Sequence, residues 1–469
     1  MSEISSAQTL QNPSLTLYAF HLRTDISKGA EQVASKASQL WEQLMELGNT
    51  LKIPKLQSLH QKLICYQSAR YQPSVEDQLA PGQQNLLSNR EDSLNFQLAA
   101  QINHGELEFN GSLVPFRIHD TYAIDLTLSS PNPIPLNQLH QLNPQNLLLP
   151  PHIQASLGQT LLLYAEVDSL RKEDRAIADA CVAQLFHQRT TPEFLAEGKL
   201  LGSSIFEYDT LTTDPTQQRH MLVWLNHENL ASEVDEVSGT LLYILLCRHK
   251  ILYAYDQSRW CDRQAKQIYS KLDQEFVQKF TQVAQAPDHL RQFQIWLRED
   301  LPPMAFEYAR QLRDLSDHLT TIQTNLENYQ SQMAKLARLP GNDLIFLQQF
   351  SDLAQNKFLR QIQVDREYLV PGQAIFQQLI ETIRGLAELE QTESDRRLER
   401  TIQVVGVGLG VGAIFGSSSA FIDRPWKPPF SPNTTIHPFV SSLLVSLLAA
   451  LMAALFTWLL TKPKRGKKF

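Results

Sequence analysis

Polar and apolar residues alternate with period two in one stretch of this chain, then give way to helical spacing beyond residue 230. Phe96, Leu98, Ala100 and Ile102 point one way, His104-Gly105 offers a turn, and Leu107 and Phe109 resume the alternation. Asn110-Gly111 offers a second turn before residues 113–118 and before Tyr122, Ile124, Leu126 and Leu128. Asn-Gly between alternating runs is a strong hairpin signal, so residues 95–128 predict an antiparallel meander of about four strands. Residues 14–23 (SLTLYAFHLR) predict an earlier strand. A helix follows, with Val33, Ala37, Leu40, Trp41, Leu44 and Leu47 at helical spacing and Gly48-Asn49 as its stop.

Residues 73–91 read as a polar loop, and residues 129–151, rich in Pro, Asn, Gln and Leu, as a surface connection. The near-continuous apolar run 159–167 (QTLLLYAEV) predicts a strand covered on both faces. Residues 172–186 predict a helix with Glu173 and Asp174 favourably placed in its first turn. Strands are expected at 203–208 and 220–226. Residues 1–230 thus form an expected α+β or α/β domain, placed in the cytoplasm.

From 231 to 400 the pattern is that of a long helical bundle and coiled-coil stalk. Residues 239–285 show helical periodicity only, and new helices begin after Pro287 and after Pro302-Pro303. Leu312, Leu315, Leu319, Ile322, Leu326, Tyr329, Met333 and Leu336 repeat at the alternating three- and four-residue spacing of a coiled-coil seam. Leu339-Pro340-Gly341-Asn342 breaks that helix, residues 343–368 predict another, and Pro371-Gly372 interrupts or kinks it. The pattern then runs through the charged residues 388–400 into residues 401–422, which contain no Asp, Glu, Lys or Arg. A second uncharged stretch covers 439–460. Each exceeds the ~20 apolar residues of a spanning helix, which predicts a C-terminal transmembrane hairpin with a short outer loop, 423–438, and a basic tail, 461–469.

Charge sets the expected topology. Arg396, Arg397 and Arg400 precede the first stretch, and Lys462, Lys464, Arg465, Lys467 and Lys468 follow the second. The loop carries only Arg424 and Lys427 as basic residues. By the positive-inside rule this predicts an integral membrane protein with two spans and both termini cytoplasmic. The net charge of −7 argues against a nucleic-acid partner. Cys65, Cys181, Cys247 and Cys261 are scattered, without C-x-x-C, and read as reduced.

Candidate chemistry is sparse. Gly406, Gly408, Gly410, Gly412 and Gly416 contain G-x-x-x-G pairs, which suit close packing of membrane helices, and no strand precedes them as a phosphate loop would require. His227-Glu228 opens like a zinc-protease helix, but Ala231 stands where a second histidine is needed. No catalytic constellation, cofactor site or metal cluster is recognisable, so none is expected.

The order of elements — α/β domain, long helices, a stalk entering the first span, a short loop, a second span and the tail KPKRGKKF — resembles the CorA-type family of divalent-cation channels. That resemblance implies a pentamer whose first span lines the pore. It would put Gln403 and Ser417, Ser418 and Ser419 in the pore and Asp395 and Glu399 at its inner mouth. The family's Gly-Met-Asn triplet does not occur, and 416–421 (GSSSAF) occupies its place. Asp423 is outweighed by Arg424 and Lys427, where cation channels favour acidic rings. The leading expectation is therefore a membrane-anchored, homo-oligomeric sensor, scaffold or membrane effector without catalysis, with the lipid bilayer as partner. The alternative is a divergent CorA-like channel or transporter for divalent cations with altered or lost selectivity.

Overall fold

A computed structural model describes residues 8–390, apart from 25–31, 79–81, 89–90, 103–104, 168–172, 187–189, 213, 228–230 and 286–288. The chain divides into two compact units, Met1–Trp260 with Ser316–Gln363, and Cys261–Leu315 with Val364–Phe469.

The first unit is built on strands β1 (Thr9–Leu22), β2 (Tyr66–Gln67), β3 (Arg70–Tyr71), β4 (Gln83–Asn85), β5 (Leu94–Ile102) and β6 (Gly105–Ile118). They continue with β7 (Thr121–Ser129), β8 (Ile134–Pro135), β9 (Gly158–Glu166), β10 (Glu193–Leu200), β11 (Ser203–Asp209) and β12 (His220–Asn226). Ten of these make one sheet in the order β10-β11-β12-β9-β1-β7-β6-β4, with β5 also on β6 and β8 on β1. All its pairings are antiparallel except β9 with β12, which run parallel. The helices of this unit include α1 (Gln39–Thr50), α2 (Pro54–Gln57) and α3 (Asp174–Leu185). The central strand β1 lies between β7 and β9, and its stretch from Leu15 to His21 is buried throughout.

The expected turn at Asn110-Gly111 is not formed, because β6 is continuous through it. Asn110 pairs with Gln97 and Ser129, and Gly111 with Phe96 and Leu128, so two neighbours hold the strand straight. The glycine serves a different purpose: the Phe96 ring occupies the space a Cβ at 111 would need. The actual reversal falls at His119-Asp120, where His119 adopts φ 54° between β6 and β7. Residues 129–151 are not a surface connection either. Leu136, Leu139, Leu142, Leu148 and Leu149 are buried, and the segment packs its leucines into the core.

Register separates the two faces of the sheet, since paired residues project to the same side. On one face lie Leu17, Leu126, Leu161 and Met221, linked by the pairs Leu17↔Leu126, Leu17↔Leu161 and Leu161↔Met221. This face forms the main apolar core with Leu40, Trp41 and Leu44 of α1 and Ile177, Cys181 and Leu185 of α3. On the other lie Asp125, Tyr18, Thr160 and His220, linked by Tyr18↔Asp125, Tyr18↔Thr160 and Thr160↔His220. The first face is apolar; the second carries polar and ionisable groups into a buried layer.

Beyond the sheet come α4 (Ala231–Gln285), α5 (Leu290–Glu299), α6 (Leu301–Leu336), α7 (Ile345–Leu353), a π-helical turn (Ala354–Leu359) and α8 (Arg360–Glu390). In the first unit, the turn between α6 and α7 docks on the β10–β11 hairpin. Lys199 and Asp343 exchange backbone bonds of 2.8 and 2.9 Å, and Gly202 N–H donates to Gly341 O at 3.1 Å. Gly341, at φ 77°, permits this approach, which also covers the otherwise open edge strand β10. The π turn coincides with stacking of Phe358 on Tyr255, ring centroids 4.2 Å apart.

In the second unit, α8 continues through Pro371. Proline there removes a helix hydrogen bond, and the adjacent Gly372 leaves room for the Tyr308 hydroxyl, which donates to Leu369 O at 2.6 Å. Phe276, Phe280, Phe293 and Trp296 form an aromatic cluster, anchored by Trp296 Nε1 donating to Glu275 at 2.8 Å.

The expected C-terminal membrane hairpin is corrected here. Among the described residues no helix is long and apolar enough to cross a membrane. The long helices α4, α6 and α8 carry charged residues throughout, as amphipathic helices packed on protein do. The stretches 401–422 and 439–460, the loop 423–438 and the tail 461–469 lie outside the described residues. The reading of an integral, two-span protein with both termini cytoplasmic is therefore dropped, and with it the membrane part of the expected fold class.

Candidate functional site

The densest polar cluster in the first unit sits on the ionisable face of the sheet, beneath α4. Thr160, third on its strand Gly158–Glu166, and His220, first on its neighbour His220–Asn226, face each other across the parallel pairing. The Thr160 hydroxyl lies 2.8 Å from His220 Nδ1 and 2.8 Å from His249 Nε2, so one hydroxyl bridges two imidazoles. His249 comes from α4 and is fully buried; His220 is 2% exposed.

On its far side His220 Nε2 is 3.0 Å from Glu207 Oε1. Arg248, the residue before His249, reaches the same carboxylate at 3.3 Å and Asp209 Oδ2 at 2.9 Å. Gln218 Nε2 donates to Asp209 at 2.7 Å, and Leu211 N–H to the other Asp209 oxygen at 3.2 Å. The Arg248 guanidinium also lies 4.4 Å above the Phe350 ring of α7. Glu207 and Asp209 are alternate residues of β11, so both carboxylates arrive on one face. A buried charge is tolerable only when paired, and each of these three is.

The donors and acceptors assign the tautomers. With Glu207 an acceptor for Arg248 and for His220 Nε2–H, His220 Nδ1 accepts the Thr160 hydroxyl proton. Thr160 oxygen then accepts from His249 Nε2–H. The remaining His249 Nδ1 is a bare acceptor without a partner among the described residues. It sits against Gly158, where a Cβ would come within 2.6 Å of it. Gly158 has φ 119°, so both its conformation and the close imidazole require glycine.

Burial pushes both imidazoles well below the ordinary histidine range, so both are neutral. For His220, Arg248 adds to the lowering and Asp209 opposes it. For His249, His220 and Arg248 both add to it. Burial raises the Glu207 carboxyl, with Arg248 pulling the other way. Tyr329 of α6 is pushed well up by burial and by Glu207, and its hydroxyl donates to Leu347 O at 3.0 Å.

Two smaller clusters lie elsewhere in this unit. Asp174, opening α3, accepts from Ser204 Oγ at 2.6 Å and meets His227 Nε2 at 2.9 Å. His227 thus answers to a carboxylate and not to a metal. Among the described residues no group of three or more His, Cys, Asp or Glu could hold a metal ion. Glu76, fully buried, pairs with Arg23 at 2.9 Å and accepts from Tyr122 at 2.7 Å, while Tyr71 and Tyr122 hydroxyls bond at 2.8 Å. All four cysteines are unpaired and buried. Burial pushes the Cys247 thiol up to about 11 and Cys261 to about 12, which leaves neither as a ready nucleophile.

Of the residues singled out from the sequence, the seam Leu312, Leu315, Leu319, Ile322, Leu326, Tyr329 and Leu336 is buried within this one chain, and Met333 is half-buried. Asp395, Glu399, Gln403, Ser417, Ser418 and Ser419, and Gly406, Gly408, Gly410, Gly412 and Gly416, lie outside the described residues. The Thr160 network escaped the sequence reading. Its one signal was Arg248-His249 interrupting an otherwise apolar helical stripe between Leu241 and Ile251. No family model matches the chain, and neither a curated protein nor a solved structure matches it.

Proposed function

We propose that this protein works by binding and positioning, as a homo-oligomeric scaffold or sensor, and not by catalysis. One observation carries this reading. The cluster richest in catalytic residue types, Thr160, His220, His249, Glu207 and Asp209, is buried and spends its polar groups on fixing α4 to the sheet. Groups arranged for chemistry would be aimed at a space a substrate can enter. Here they join one element to another.

The helices of the second unit supply a surface for self-association. Phe306 is 72% and Tyr368 73% exposed, and Val277, Ile295, Val370 and Ile380 are also exposed. Brought together on one face, such side chains would form the apolar patch that an interface uses. The likeness to CorA-type channels drew on the corrected hairpin and adds no support to this reading.

Sedimentation velocity of the full chain tests the proposal. A stable oligomer is expected, and Phe306→Glu with Tyr368→Glu is expected to shift it towards monomer without changing the circular dichroism spectrum. A chain that stays monomeric at all concentrations, or an oligomer indifferent to both substitutions, would overturn it.

A further inference from the structure

We propose that the Thr160–His220–His249 bridge is an acid-released latch, whose protonation frees the sheet-bound part of α4 while the apolar core on the opposite face stays folded. The inference goes beyond the scaffold reading and does not draw on self-association.

The geometry sets a conflict that protonation triggers. A single hydroxyl serves two rings, donating to His220 Nδ1 and accepting from His249 Nε2–H. Once His220 takes up a proton, Nδ1–H and the Thr160 O–H would face each other as two donors; the hydroxyl keeps both rings only by accepting from both, which turns its own buried proton away from the acceptor it had. Once His249 takes one up, the new proton sits on the Nδ1 that lies against Gly158, within 2.6 Å of where a Cβ there would be. From α4, Arg248 presents a positive charge that opposes both protonations. From β11, Glu207 and Asp209 present negative charge, but Arg248 already engages both. From α6 comes the neutral Tyr329, from α7 the Phe350 ring, and from β1 the Phe20 ring, 5.4 Å from His249. The carboxylate in contact with a ring, Glu207 at 3.0 Å from His220 Nε2, is already shared with Arg248.

Release is local because the two faces are built separately. The main apolar core gathers α1, α3 and the strand residues that share a face with Leu17, Leu126, Leu161 and Met221, and among the described residues it includes none from α4. Losing α4 therefore uncovers the second face, where Phe20, Leu162, Leu222 and Trp224 are buried beside the polar groups, and leaves that core intact.

The sign follows from linkage. Both histidines have folded values below the ordinary one, so the open form binds more protons and stability is lost as pH falls below about 6.5. Each contributes a factor of about 5.5 to the opening constant between pH 6.5 and 5.5, hence about 30-fold for the pair. Glu207 works in the opposite sense, since its raised carboxyl takes up a proton earlier in the closed form.

Hydrogen exchange of the full chain at pH 7.5, 6.5 and 5.5, corrected for the intrinsic chemical rate, tests the latch. Amides of residues 241–258 are expected to open about 30-fold more at pH 5.5 than at 6.5, while those of α1 and β7 stay protected. In His249→Gln, which keeps a donor for Thr160, the pH response should fall to about 5-fold. An unchanged response in His249→Gln, or equal loss of protection in α1 and α4, would overturn the proposal. Should that variant not fold, histidine-selective NMR of the native chain decides. Rings that stay neutral through pH 6.5 support the latch; a ring titrating at the ordinary histidine value refutes it.

Discussion

At the residue scale, the most costly single group to lose is Arg248. It alone balances Glu207 and Asp209, whose carboxylates are both buried. Arg248→Ala would leave two buried anions unpaired and should cost about 3–5 kcal/mol, read as a shift of the urea midpoint at pH 7.5. Asp125 behaves oppositely. Its carboxylate is pushed up to about 6 by burial, against one helpful bond from Thr127. A raised acid binds more protons folded than unfolded, so its contribution to stability grows as pH falls from about 6 towards 4 and is unfavourable above. Asp125→Asn should therefore stabilise the chain by about 3 kcal/mol at pH 7.5, with most of the gain gone at pH 4. Equal gains at both pH values would contradict the assigned cause. Gly111→Ala should destabilise by about 1–3 kcal/mol because the Phe96 ring fills its Cβ position, and Phe96→Leu should recover part of that loss in the double variant.

At the element scale, legibility followed burial pattern. Strand β12 matches its expected range because seven consecutive buried residues leave one reading open, and β9 was equally plain as an apolar run. The meander was seen but miscounted. Asn-Gly is a turn signal only where no third strand holds the chain extended, and β5 and β7 flank β6 on both sides at Gly111. Edge strand β10 was missed, since its polar composition (EFLAEGKL) gives no alternation to read. The a/d seam was read from spacing alone, and spacing cannot distinguish a partner helix in another chain from one in the same chain. Its burial within one chain gives the seam graded costs: Ile322→Ala, at a fully buried site, should cost about 2–5 kcal/mol, and Met333→Ala, half-buried, well under half as much. Thermal denaturation of both variants measures the difference.

At the scale of the whole molecule, the candidate site was hidden because it is assembled from four distant segments. Thr160, Glu207, His220 and His249 share no local motif, and only sheet register and the placement of α4 bring them together. That assembly also predicts how the first unit comes apart. The core below the sheet is a continuous apolar cluster, whereas the layer above it combines buried apolar residues such as Leu162, Leu222, Trp224, Leu241 and Leu245 with a hydroxyl bridge and a guanidinium with two carboxylates. Losing one member of such a polar network leaves the others buried and unpaired, a cost that shortening one core side chain does not carry. Thr160→Val keeps the volume but removes the bridge, leaving His220 Nδ1 and His249 Nε2 both buried without partners, at about 1–3 kcal/mol each. The loss should fall on α4 and its neighbours alone, so hydrogen exchange should accelerate across residues 241–258 and stay unchanged in α1 and β7. Leu163→Ala, in the core on the opposite face, should instead weaken protection throughout the unit, because every element of the sheet rests on it. Two variants of similar cost with different maps of lost protection would establish that the two faces are separate cooperative layers. Identical maps would mean that the unit unfolds as one, and that α4 is no more releasable than the strands beneath it.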